Sequence, residues 1–251
     1  MPGNPVIESI MQRKSIRKYK AEQPSDEVLK AIVRAGQQAP FAMQLGSVLL
    51  SRSVETNVFN APLQFIICVD IHRMEKIMDK RGWKRGASDL FTLLFGMQDA
   101  AYMAQNMVTA AESFGMGSCF FGNAPFMALK IREKYEIPDG VFPLVMLTMG
   151  YPAEEPPVRP RYPVEFHLFE DRYPEFNDED VSAAMEKMDS GFLDQDYYRN
   201  AGYMIPLTDG REETFSFDNY SWTEHIARKL GQWGKDPEDL LQNLRQCGFN
   251  I

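Results

Sequence analysis

Histidine and cysteine are scarce in this chain, three of each among 251 residues. Cys68, Cys119 and Cys247 have no paired spacing, which argues against a disulfide framework or a thiolate metal site. His72, His167 and His225 lie far apart and lack metal-ligand spacing, so each reads as a structural or surface residue. There is no glycine-rich phosphate loop, no nucleophile elbow and no obvious pair of catalytic acids. A basic excess is also missing: the net charge of −8 gives no general affinity for nucleic acid. The opening residues, MPGNPVIESI, hold no apolar signal region and no cleavage site, and a cytoplasmic, reduced protein is the simplest reading. If the chain is an enzyme, a bound cofactor carries its chemistry.

What is present is organised around residues 89–123, DLFTLLFGMQDAAYMAQNMVTAAESFGMGSCFFGN. The stretch reads as one long helix, a glycine turn at Gly115 and a short buried strand, 118–121, closed by Gly122. Phe91, Leu94, Phe95, Ala101, Tyr102, Val108 and Ala111 place apolar surface on every side of the helix, which must then be covered all round. At about 1.5 Å per residue, roughly 26 residues span about 39 Å, longer than a small core needs. Half in its own core and half against a second copy buries it. Asp99, Glu112, Gln98, Gln105 and Asn106 argue against a membrane span.

Ahead of this element, residues 5–11 read as a short helix running into Arg13-Lys14-Ser15-Ile16-Arg17-Lys18-Tyr19. Such a cluster can clamp a phosphate, through arginine forks and a serine donor, or simply be a solvated turn. Ser25 is positioned to cap a helix with an apolar face of Val28, Leu29, Ile32 and Val33. A proline-broken loop, 39–44, follows. Residues 63–69, LQFIICV, read as a strand buried on both faces. Between His72 and Gly86 the chain turns basic, as a flap that attracts a phosphorylated reductant or as a solvated surface helix.

Beyond the central element, residues 125–135 form a helix with proline near its start, and 142–150, FPLVMLTMG, another buried strand. Apolar strands separated by long helices indicate an α+β or α/β domain. Four prolines hold 156–163 extended and project Arg159 and Arg161 from a rigid arm. The tail is acidic and irregular from Asp171 to about Phe217. It ends in two capped helices, one opened by a capping box at Ser221-Trp222-Thr223-Glu224 and one by Asp236-Pro237-Glu238.

Taken together, Arg13-Lys14-Ser15-Ile16-Arg17, the Ala39-Pro40 loop and the run DAAYMAQNMVTAAESFGMGSCFFGN resemble the FMN-dependent nitroreductase family. The likeness is closest to its oxygen-insensitive NADPH nitroreductase and NADPH-flavin oxidoreductase branch. Arg159-Pro160-Arg161-Tyr162-Pro163 resembles that branch's basic arm, and Ser221-Trp222-Thr223-Glu224-His225-Ile226 its C-terminal helix. The resemblance implies an α+β fold, a three-layer α/β/α sheet with the long helix at a homodimer interface. It divides the chain into an FMN-binding core, 1–170, and an extension, 171–251, packed on the core or across the dimer.

By the same resemblance, Arg13, Ser15, Arg159 and Arg161 hold the FMN phosphate and ribityl chain. Lys14 and Arg17 line the flavin, with Arg17 near its N1/O2 edge. Ala42, Met43 and Gln44 border the pyrimidine end, while Phe120, Phe121 and Gly122 approach from the N5 side, where glycine permits close contact. No side chain need act as a nucleophile and no metal is implied. NADPH or NADH delivers hydride to the flavin, and a nitroaromatic, quinone or flavin acceptor takes it in ping-pong order. Two alternatives stay open: other redox chemistry on the same fold, such as dehalogenation or enone reduction, and a non-catalytic FMN-binding or sensing dimer. The chain departs from the branch in a short segment between Leu50 and Phe59, in Pro40-Phe41 replacing small polar residues, and in Ala201 standing where an arginine for the NADPH 2′-phosphate belongs. Arg199 or the basic residues 81–85 are the candidates to compensate.

Overall fold

The run LQFIICVD forms strand β2 (Leu63–Asp70), and all of it is buried. Such a strand needs cover on both faces. In the computed structural model, which describes residues 3–232, 234 and 236–251, that cover comes from two helical layers. The sheet has the order β1-β2-β4-β3, with β1 at Gly46–Ser51, β3 at Gly117–Phe121 and β4 at Val141–Gly150. Side-chain alternation sorts β2 between the layers. Leu63, Phe65 and Ile67 meet Ile32, Ala104, Met107 and Val108 from helices α2 (Asp26–Gln37) and α4 (Asp89–Ser113). Ile66 and Cys68 meet Ala124, Ile131 and Met146 on the side of α5 (Ala128–Tyr135). The α+β, three-layer expectation holds, with every strand pair antiparallel. The β2–β4 register skips Leu144 where Pro143, which has no N–H to donate, stands opposite Cys68.

Local signals explain the helix starts. The Asn4 side chain accepts from Val6 and Ile7 to open α1 (Pro5–Gln12). Ser25 accepts from Val28 and Ser88 from Phe91, each at 3.3 Å. Gly115, at φ 72°, ends α4 in the left-handed conformation that suits glycine. The basic stretch after β2 is a helix, α3 (His72–Lys80), rather than an open flap. Helix α4 buries Met107 completely; truncating such a side chain to alanine costs about 2–5 kcal/mol. Its outer side is uncovered in the single chain, where Leu90, Phe91, Leu94, Met97 and Tyr102 are exposed. Among the described residues no helix is long and apolar enough to cross a membrane. The three cysteines are free and buried, and burial pushes the Cys68 thiol up to about 12.

The chain divides into two compact units, Met1–Pro156 with Asp236–Ile251, and Pro157–Lys235. The sheet and its helices make the first. Helix α9 (Pro237–Gln246) belongs with them: Asp236 caps it by accepting from Glu238, and its Asn243 donates to the Pro125 carbonyl.

The second unit corrects two expectations. Its acidic stretch is not irregular up to Phe217, since it contains α6 (Asp178–Leu193) and the short α7 (Tyr197–Ala201). Asn177 and Asp180 form a capping box at the start of α6. Ala184, Met188 and Phe192 then recur at a spacing of four and are buried, with Met188 and Phe192 packed against Tyr198 and Tyr220. Acids between them hide this spacing in the sequence. The capping box expected at Ser221–Glu224 is not formed. Ser221 donates to the Asp189 carbonyl at 3.0 Å, and Glu224 accepts from Arg228 at 2.6 Å. The Asp189 carboxylate accepts instead from Thr223 N at 2.9 Å, near the start of α8 (Trp222–Gln232). A full negative charge there suits the helix N-terminus. Arg228, 3% exposed, also donates to Glu213 and to the Ile205 carbonyl, so its buried charge is matched on several sides.

Candidate functional site

The segment 13–20 is pinned to the edge of the sheet. Ile16, 2% exposed, is turned into the core, and its N–H donates to the Ser118 carbonyl at 2.9 Å. It sits so close to β3 that a Cβ on Gly117 would lie 2.4 Å from its Cγ1. The Tyr19 hydroxyl donates to the Ile16 carbonyl at 2.6 Å and lies 2.8 Å from Thr148 Oγ1; burial raises its pKa. With Ile16 facing inward, alternation in an extended segment sends Ser15 and Arg17 the other way. Lys14 pairs with Glu155, and Glu154 accepts from the Arg17 and Lys18 N–H groups. Arg13 lies near enough to Glu112 to offset part of the rise that burial gives that carboxyl.

This segment meets β3 at its buried start, Gly117 and Ser118, and the strand opens to solvent two residues further on. Phe120 and Phe121 are each 36% exposed, so the strand is buried only at its start. A Cβ added to Gly122 would meet nothing within 4 Å. Phe59 stands edge-on to Phe121 at 6.5 Å, held with Asn60 in left-handed conformations that non-glycine residues rarely adopt. The short 50–59 segment is ordered by Asn57, which donates to the Ser51 and Ala61 carbonyls. Ser118 Oγ is buried without a hydrogen-bond partner. Cations, hydroxyls, an unmet buried donor and open space over a glycine are the donor set and the room that a phosphorylated planar group requires.

Ala42, Met43 and Gln44 lie elsewhere. They lead into β1, at the opposite edge of the sheet from β3. Ser15 is bridged to Ser118, which pairs with Met149 and so aligns with Leu63, whereas Gly46 aligns with Val69. The two groups are therefore separated by about 19 Å across the strands, four inter-strand steps, and about 20 Å along them. Asp99, 4% exposed, accepts from Ala42, Met43 and Leu45 N–H at 2.6, 3.1 and 3.0 Å. Arg73 donates to the Gln44 and Gly46 carbonyls at 3.2 and 2.7 Å. A cleft of 210 Å³ opens here, lined by Pro40, Phe41, Gln44, Arg73, Asp99 and Met103. Sequence reasoning used Asp99 only as an argument against a membrane span. The signal for its role was a lone acid deep in an apolar helix.

Arg159 and Arg161 belong to the second unit. Arg159 donates to Gln195 Oε1 at 2.6 Å and stacks 4.2 Å from the Tyr197 ring centroid. Arg161 donates to the Arg159 and Pro160 carbonyls, both at 2.9 Å. Of the cations considered for the reductant, Arg199 is paired with Asp196 and Asp218. Arg85 is held by Glu75 and Asp89, and Lys84 by Asp79. Arg81 forms no ion pair among the described residues.

The cations and hydroxyl of segment 13–17 thus stand on a strand that runs out into two part-exposed rings. The family model described as Nitroreductase family matches residues 10–58 and 52–151. The FMN reductase (NADPH) of Bacillus subtilis (strain 168) is 30% identical over 98% of this chain and 99% of its own length. The NADPH-flavin oxidoreductase of Vibrio harveyi is 29% identical over 98% of each chain. The solved structure of B. megaterium NfrA2 shares the fold with a TM-score of 0.84 at 23% identity, covering 99% of each chain. The chain belongs to the nitroreductase family.

Proposed function

We propose that the protein is an FMN-dependent NAD(P)H oxidoreductase that works as a homodimer. The observation that carries this is the segment 13–17 pinned to β3 at Ser118, two residues before the strand becomes exposed, in a chain of the nitroreductase family. Arg13, Lys14, Ser15 and Arg17 hold the phosphate and polar edge of FMN. Phe120, Phe121 and Gly122 provide the surface for the ring. The chemistry is that of the bound flavin: two-electron transfer in ping-pong order from NADPH or NADH to a nitroaromatic, quinone or flavin acceptor. The protein's residues bind, orient and shield, and a cation near the polar edge of the ring favours added negative charge there. The names of the B. subtilis and V. harveyi relatives favour NADPH as the reductant.

Two separated groups of candidate residues support the dimer. Ala42, Met43 and Gln44 cannot reach the Ser15 segment of their own chain across that span, but a second copy can bring its loop there. The uncovered apolar stripe on α4, with Val6, Ile7, Ile10 and Met11 exposed on α1, offers that copy its contact.

The visible spectrum of the purified protein, followed by anaerobic titration with NADPH and then NADH, tests the reading. A flavin band that bleaches with either nucleotide supports it. A colourless protein that takes up no added FMN overturns it.

A further inference from the structure

We propose that Asp99, assisted by Arg73, is a positioning residue that sets the backbone of loop 42–45 and thereby the grip on the cofactor; this rests on the functional reading above. Asp99 is carried by α4 with its carboxylate turned inward at 4% exposure. A buried carboxylate is costly unless its lone pairs are met. Here three N–H groups of a single loop meet them: Ala42 N on Oδ1, and Met43 N and Leu45 N on Oδ2. Hydrogen bonds to an ionised acceptor are the strong kind.

The opposite side of the loop is held just as specifically. Arg73 donates through Nη2 to the carbonyls of Gln44 and Gly46, and through Nε to Asp70, 6% exposed, at 2.7 Å. The N–H groups of Ala42, Met43 and Leu45 thus point to α4, the carbonyls of Gln44 and Gly46 to α3, and the Leu45 carbonyl accepts from Asp70 N on β2 at 2.7 Å. Between the two grips Gln44 is left-handed, at φ 55°. A non-glycine residue persists in that conformation only where its surroundings over-determine it. Two clamps on a five-residue stretch do so. Since the central helix forms much of the apolar surface offered to the second copy, Asp99 couples the loop to the element that carries it across the interface.

The test uses Asp99→Asn. The two carboxylate oxygens share three N–H donors, so either orientation of the amide turns its NH₂ against a loop N–H. In cofactor-free protein, amide exchange at Ala42, Met43 and Leu45 should quicken at least tenfold, while that at Phe65 and Ile67 is unchanged. FMN, titrated in, should bind about tenfold more weakly. Arg73→Met removes a half-exposed side chain and is the second variant should the first not fold; it should act in the same direction, about threefold. Unchanged loop exchange overturns the proposal. Faster exchange with unchanged FMN affinity overturns it too, while the colour of the wild-type protein shows the functional reading intact. Wild-type protein that takes up no FMN overturns the functional reading and the cofactor role of the clamp together.

Discussion

Gly122→Ala should strengthen the empty protein and weaken the loaded one. Its φ is not left-handed, and an added Cβ meets nothing within 4 Å. Alanine therefore costs no strain in the cofactor-free chain. It removes conformational freedom from the unfolded state, worth about 0.4–1 kcal/mol of added stability. At about 2–4 °C per kcal/mol, Tm of the apoprotein should rise by roughly 1–4 °C. With FMN bound, the methyl group occupies the space where backbone and ring approach, and overpacking of that kind costs about 1–3 kcal/mol. The affinity for FMN should fall roughly 5- to 150-fold. Circular dichroism melting of the apoprotein and quenching of flavin fluorescence on titration read the two effects separately. FMN affinity within twofold of wild type would refute the assignment of Gly122 to the cradle. Gly117→Ala is the contrasting case. Its Cβ would lie 2.4 Å from Ile16 Cγ1 and 2.9 Å from Ile16 Cβ, so the apoprotein itself should lose about 1–3 kcal/mol.

Leu94→Lys, on the exposed stripe of α4, should yield monomers in sedimentation and lower FMN affinity at least tenfold; a dimer of normal affinity would move the interface elsewhere. Arg81→Ala should raise KM for NADPH roughly 2- to 5-fold, the effect of about 0.5–1 kcal/mol from one exposed charge pair, and leave KM for NADH alone. Equal changes for both nucleotides would remove Arg81 from 2′-phosphate recognition. The hydrogen bonds from Arg228 hold the Glu213 carboxyl down at about 2, against an ordinary 4.5. A depressed carboxylate contributes stability that is complete above its unfolded pKa and lost as pH falls through the folded one. The second unit should therefore weaken between about pH 4.5 and 2, seen in the near-ultraviolet circular dichroism of the Tyr198–Tyr220 cluster. Glu213→Gln should flatten that dependence, and an unchanged acid profile would count against the pairing.

Local order was legible because its causes lie within one turn or one strand. Ser25 and Asp236 cap helices as their spacing indicates, since the side chain of a cap reaches only the next two or three N–H groups. The near-continuous apolar run at 63–69 announced a strand covered on both faces, and the surplus of apolar residues on α4 announced surface that one chain does not cover. Arg13-Lys14-Ser15-Ile16-Arg17 was recognisable as a candidate anion clamp from residue types alone. Where distant residues compete, sequence reading lost. Ser221 and Glu224 have capping-box spacing, but Asp189 and Arg228 take both side chains. The buried side of α6 went unseen because acids separate Ala184, Met188 and Phe192. Asp99 was a lone charge in the sequence and became a clamp only when the loop before β1 folded over α4. The strand order is the deepest case. Nothing in the spacing of Ser15 and Gln44 says that one follows the β3 edge and the other leads into the β1 edge. Propensity, capping and alternation act over a few residues and are written in the chain. Which edge a strand takes, and which distant group satisfies a buried charge, is decided by the joint packing of all the elements, which only the tertiary structure contains.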